Sequence, residues 1–272
     1  MPEHMRAVAL TLAILAVLIP ASILAIPSAK FYQEGGEIFD DWDICRTDAI
    51  GEDGFFQISA AGFYPIIVGE SLGQNADQAY RSGQQFAGEY QDLSQRAEEI
   101  FAFVRDRVRY TSDESLFGFA EFAQNADEVA GIIEDNGVAH GDCEDYAVLL
   151  AVMYKGAGFR SAIVLAPEHA AALVHLPGYR QANRSLSLNG EAEWIWAEAT
   201  GGNNPLGWMP EEFLGTELEV YEVEDEAIAK GERPDKPPVE ITPNSGSDGI
   251  HISPFFIIIA LLFLISLFRR RR

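Results

Sequence analysis

GDCEDYAVLLAVMYKGAGF, residues 141–159, decides the fold of this chain. From Tyr146 to Met153 nearly every residue is apolar, so a helix here has no solvent face and must lie buried. Gly156 and Gly158 are placed to end it. Asp142 stands at the N-cap position and Cys143 in the first turn, where free N–H groups and the positive end of the helix dipole favour a thiolate over a thiol. A cysteine so placed is a candidate nucleophile. Free cysteine is also among the most buried of residue types, and the helix alone does not separate the two roles.

The segments on either side make the difference. SAIVLA, residues 161–166, is apolar and partly β-branched, which reads as a buried strand, and Pro167 breaks it. HAAALVHLPGY, residues 169–179, reads as the next strand, with His169 and His175 on one face because they are six apart. In WIWAEATG, residues 194–201, Glu198 shares a face with Trp194 and Trp196, an apolar side on which a carboxylate needs a partner. Pairing these strands antiparallel with Leu176 opposite Glu191 sets Glu198 opposite His169 and leaves His175 facing Ala192. That favours His169 over His175 as a base. Upstream, Leu93, Ala97, Ile100, Phe101, Val104 and Val108 form one helical stripe, and a second helix spans about 125–135 before Asn136-Gly137.

GDCEDYA with its helix, the histidine strand, the Trp194–Gly201 strand and the leading AEEIFAFVRDRVRYTSDE (residues 97–114, with a Y-x-x-D turn) occur here in one order. In that order they resemble the transglutaminase-like superfamily over residues 92–215. The resemblance implies an α+β, papain-like transglutaminase core in which a buried cysteine-bearing helix packs on an antiparallel sheet. It also implies a Cys143, His169, Glu198 triad. Glu198 and Ala199 depart from the family's usual W-x-x-x-D-P-T, so the acid is one carbon longer than usual. The expected chemistry is acyl transfer through a thioester on Cys143, with His169 moving the proton and Glu198 orienting the imidazole. Hydrolysis of protein or peptide amides is the leading expectation. A cross-linking transglutaminase and a non-catalytic cell-surface module are the rivals. The triad needs no cofactor; Asp142, Glu144 and Asp145 bracket the cysteine with hard oxygen ligands, and a related group of bacterial cysteine proteinases sharing G-D-C-E-D is associated with calcium, so Ca²⁺ is the one candidate ion.

Composition sets the surroundings. The net charge is −23, with 42 acidic residues against 19 basic ones, which argues against a nucleic-acid partner. Residues 7–26 carry no charge and follow Arg6; their length suits a bilayer span, and the weak cleavage site at IPSAK favours a signal anchor over a removed signal peptide. Residues 252–268 are a second apolar run ending on four arginines. The positive-inside rule then puts both termini in the cytoplasm and the core outside a two-pass cell-membrane protein, with the lipid bilayer and a protein or peptide substrate as partners. The expected organisation is an anchor over 1–29, a loop-rich extension over 31–91, the core over 92–215, an acidic Pro/Gly-rich linker over 216–250, a second span over 251–268 and the arginine cluster over 269–272. Cys45 offers the one disulfide partner for Cys143. Asn183-Arg184-Ser185 fits a glycosylation sequon.

Overall fold

The computed structural model describes residues 28, 30–59, 62–224, 239–241 and 243. The apolar runs 7–26 and 252–268, the arginine cluster and most of the linker lie outside them. Among the described residues no helix is long and apolar enough to cross a membrane.

The segment expected to be loop-rich is instead a sheet followed by helices. Strands β1 (Phe31–Glu34), β2 (Glu37–Asp40), β3 (Cys45–Gly51), β4 (Gly54–Ser59) and β5 (Gly62–Tyr64) pair in sequential order. Neighbours run antiparallel except β3 and β4, which are parallel. These strands are short and studded with acids, so no apolar alternation announces them. One of them, Asp40, faces inward because Arg46, fully buried on β3, binds it together with Glu70 and Glu128 from later elements, at 2.7, 3.0 and 2.8 Å. The buried turn α1 (Ile66–Gly69) and the helix α2 (Gln78–Glu89) follow. Two glycines hide α2 from a propensity reading, yet one of them makes its packing. A Cβ on Gly83 would lie 2.1 Å from the Met153 carbonyl oxygen.

Helix α3 (Leu93–Arg107) begins at Asp92, whose carboxylate accepts the Gln95 N–H at 2.9 Å. Its expected stripe is buried at Ala97, Ile100, Phe101 and Val104, while Leu93 lies off it, 51% exposed. Strand β6 (Val108–Tyr110) and the short α4 (Asp113–Leu116) lead to α5 (Ala126–Asn136). Asn125 and Glu128 form a reciprocal capping box at its start, and Gly137 closes it at φ 80°. Strand β7 (Ala139–Gly141) runs parallel to β6, with Tyr110 beside Gly141.

Helix α6 (Cys143–Gly156) is buried along almost its whole length, as its composition requires. A Cβ on Gly156 would meet the Tyr80 carbonyl oxygen at 2.0 Å, so this glycine serves the crossing of α2 over α6; the left-handed residue beyond the helix is Gly158, at φ 85°. Strands β8 (Ser161–Ala166), β9 (His169–His175), β10 (Ser185–Leu188), β11 (Glu191–Ala197) and β12 (Glu219–Glu222) form an antiparallel sheet in the order β10-β11-β9-β8-β12. Ile163, Ala170, Ala172, Val174, Ile195 and Ala197 turn one face to α6 and the main core. Ala162, Val164, Ala171, Leu173, Trp194 and Trp196 turn the other face to Met209 and Phe213. Burying each large aliphatic side chain of α6 is worth about 1.5–3 kcal/mol, enough to fix the helix, and Cys143 with it, against the sheet.

Candidate active site

Each expected site residue sits at the end of an element, and the three ends meet. Asp142 is the N-cap residue of α6 and Cys143 its first residue. The loop before it is set by two contacts. Gly141 lies against the Asp145 carboxylate, where a Cβ would come within 2.3 Å of Oδ2. The Asp142 N–H reaches the same oxygen at 3.3 Å. Asp145 is held in turn by Gln124, whose backbone N–H and side-chain amide donate to its two oxygens at 2.8 and 2.7 Å. Asp145 is thereby held as a structural carboxylate, while one of its oxygens still lies within 4.8 Å of ligand oxygens of Asp113 and Asp142.

His169 opens β9 directly after the Pro167–Glu168 turn, in which Glu168 takes φ 56°. Its Nε2 is bonded to Glu198 Oε2, while Thr200 donates its N–H and hydroxyl to Oε1. Both Glu198 oxygens are therefore occupied, in a side chain only 4% exposed. The register differs from the expected one by two residues: Trp194 pairs with His175 and Ala197 with Ala172. Glu198 consequently reaches His169 diagonally across the pair, which the extra methylene of glutamate spans. His175 lies at the other end of the strand, against Trp194 with ring centroids 5.2 Å apart and 3.6 Å from Glu191. It has no share in Glu198.

Cys143 meets this pair through the backbone. The backbone N–H of Ala170, the residue after His169, lies close enough to the Cys143 sulfur to favour its charged form. The thiol itself donates to Glu144 Oε2 at 3.3 Å, and among the described residues no hydrogen bond joins it to His169. With Nε2 engaged by Glu198, Nδ1 is the imidazole nitrogen left for the sulfur. Cys45 is buried in β3 and both cysteines are free thiols, so the two do not pair.

The electrostatics reverse one expectation. Burial, then the Glu144 and Asp142 carboxylates, push the Cys143 thiol well above its ordinary value. The helix dipole, on the order of half a charge, is outweighed by acids that the sequence places on the same turn. Those acids are themselves raised: burial and Glu144 carry Asp142 up to about 9, and burial and Asp145 carry Glu144 up to about 8. Asp113, brought in by the Tyr110–Asp113 turn and held by the Phe122 N–H at 2.6 Å, is pushed up by burial, Asp142 and Asp145. An acid raised in the folded state binds its proton more tightly there than in the unfolded chain, where such groups titrate near 4. Folding stability should then fall as pH rises from about 4–5 through 8–9. Calorimetry of the protein in chelator should show its melting temperature dropping across that range, and a rise would contradict the buried acid cluster.

Tyr110, Asp113, Gln124, Thr200 and Phe213 join the site without having been singled out. Tyr110 is 54% exposed and pairs with Gly141 just before Cys143, and its hydroxyl is raised by desolvation and by the charges of Cys143, Asp142, Glu144 and Glu198. The Y-T-S-D turn was the one legible signal for Tyr110 and Asp113. Asn183 does not behave as a free sequon: its amide pairs with both the N–H and C=O of Met209, each at 3.0 Å. No curated protein is similar enough to this chain to count as a match. A cysteine opening a buried helix, with a histidine–acid pair on neighbouring strands beside it, agrees with what a comparison of families finds: residues 81–212 match the transglutaminase-like superfamily, and the chain carries a domain of that superfamily there.

Proposed function

We propose that the protein is a thiol hydrolase that cleaves protein or peptide amide bonds, with Cys143 as nucleophile, His169 as base and Glu198 as the acid that orients it. The observation that carries this reading is the His169–Glu198 pair, with Glu198 buried, next in the chain to Ala170, whose backbone lies by the Cys143 sulfur. Cys143 Sγ attacks the substrate carbonyl as His169 Nδ1 takes its proton. The oxyanion so formed lies within reach of the Cys143 N–H at the start of α6. Collapse breaks the C–N bond, His169 returns the proton to the leaving amine, and a thioester remains on Cys143. Water, deprotonated by His169, then releases the acid and restores the thiol. An amine in place of water would give cross-linking; product mass distinguishes the two. The apolar runs 7–26 and 252–268 belong to the same reading as membrane anchors holding the domain outside the cytoplasm, with a peptide or protein as the substrate met there.

The reading includes a calcium ion held by Asp113, Asp142 and Glu144. Asp113 Oδ1, Asp142 Oδ1 and Glu144 Oε1 are buried and make no hydrogen bond. The ligand atoms of Asp142, Cys143 and Glu144 lie within 4.8 Å of one another, as do those of Asp113, Asp142 and Asp145 and those of Asp113, Glu121 and Glu144. Hard, negatively charged oxygens are what Ca²⁺ takes, and its charge would offset the carboxylates that oppose a thiolate. Iodoacetamide with mass-spectrometric readout tests nucleophile and ion together. Cys143 should be alkylated slowly in chelator and faster with calcium, while Cys45, 1% exposed, stays unlabelled in both. Calcium at a hundredfold excess over its Kd should also add about 2.7 kcal/mol of stability. A Cys143 that resists alkylation in both conditions would contradict the nucleophile, and equal rates with equal melting temperatures would contradict the ion.

A further inference from the structure

Phe213 lies flat on the imidazole of His169, with ring centroids 5.2 Å apart and planes 11° apart, and also stacks on Trp196 at 5.6 Å. It closes the 3-10 turn Glu211–Phe213. The chain leading to it is tied down at each step. The Gly207 N–H donates to the Trp196 carbonyl at 2.9 Å and the Asn183 N–H to the Gly207 carbonyl at 3.0 Å. The Asn183 amide brackets the Met209 backbone, and Leu206 and Met209 are buried. Residues 205–213 therefore form a strap fixed at one end to β11 and ending on the histidine ring.

A single-bonded imidazole can rotate about χ2, and one bond to Glu198 does not fix which plane it adopts. A flat aromatic contact fixes the plane and shields the Nε2–H···O bond from water, where such a charge-assisted bond is stronger. We propose that Phe213 is a positioning residue for the reaction: it holds the His169 ring so that Nε2 stays on Glu198 while Nδ1 is presented toward Cys143. This rests on the reading of His169 as the base.

Phe213→Leu, which keeps the apolar bulk without the flat ring, and Phe213→Tyr, which keeps the ring, decide it in the full chain. Two quantities are read: kcat and KM for peptide hydrolysis, and the downfield proton resonance of His169 Nε2–H, assigned by its loss in His169→Gln. The leucine protein should lose about tenfold to a hundredfold in kcat with KM within about twofold, and its imidazole proton should broaden through exchange with water. The tyrosine protein should keep both properties. A leucine protein with unchanged kcat and a sharp resonance would overturn the proposal, as would equal losses in both variants with the resonance intact. If Cys143→Ala hydrolyses as well as the unaltered protein, the base reading fails instead, and the resonance still reports whether Phe213 holds the ring.

Discussion

Cys143→Ala is expected to lower kcat/KM for peptide hydrolysis by at least about a thousandfold, because no other group near the site can form the thioester. Among the described residues no serine or threonine hydroxyl stands ready to replace it: Thr200 donates to Glu198 and Thr111 is bonded to His140 at 2.9 Å. His169→Ala should cost about as much, since residues of a triad act as one unit and losing either nucleophile or base ends the same pathway. Glu198→Gln should be the mildest of the three, at up to about ten-thousandfold. The glutamine retains the side-chain length and its oxygen can still accept the Thr200 bonds, but its NH2 then faces His169 Nε2, a donor in place of the carboxylate acceptor, and favours the wrong imidazole tautomer. Initial rates on a fluorogenic peptide, with melting curves to confirm folding, provide the check. Residual activity in the alanine protein within about tenfold of the original would remove Cys143 from the mechanism.

The site was legible in part, and the division has physical causes. Helix α6 was readable because total burial demands an unbroken apolar run, and β8 because a central strand demands the same. The choice of His169 over His175 came from a strand register that the structure shifts by two residues. The His169–Glu198 contact forms in the shifted register all the same, because a two-residue shift keeps every side chain on its face and glutamate is long enough to bridge the diagonal. The balance of the thiol's electrostatics was not readable: dipole and capping follow from position in a helix, but the opposing effect comes first from burial and only then from the flanking Glu144 and Asp142. The N-terminal sheet escaped for a similar reason. Its inward-facing Asp40 and the Glu70 that follows it look like solvent-exposed acids until Arg46 is seen between them.

That arginine carries the largest stability effect expected in the molecule. Arg46 is fully buried, as are its partners Asp40 and Glu70, and its Nη1 also donates to the Ala123 carbonyl at 2.9 Å. Burial works against its charge, yet Glu128, Glu70 and Asp40 hold it protonated well above its ordinary value. Arg46→Leu would remove the only cation bonded to these acids among the described residues, at a cost of about 3–5 kcal/mol, measured as a shift in the denaturant midpoint. Adding Asp40→Asn and Glu70→Gln to Arg46→Leu should recover much of the loss, since the uncompensated charge rather than the missing bond is then gone. The damage should also reach the site. The Ala123 N–H returns a bond to the Arg46 carbonyl at 2.9 Å, and the next residue, Gln124, is the one that holds Asp145 against Gly141. Freed from Arg46, the segment 122–125 loses its anchor on β3, and Asp145, Asp142 and the first turn of α6 lose theirs in sequence. The single mutant should therefore lose hydrolysis at temperatures well below its unfolding, and a loss below about 1 kcal/mol with full activity would show that the N-terminal sheet and the site are independent.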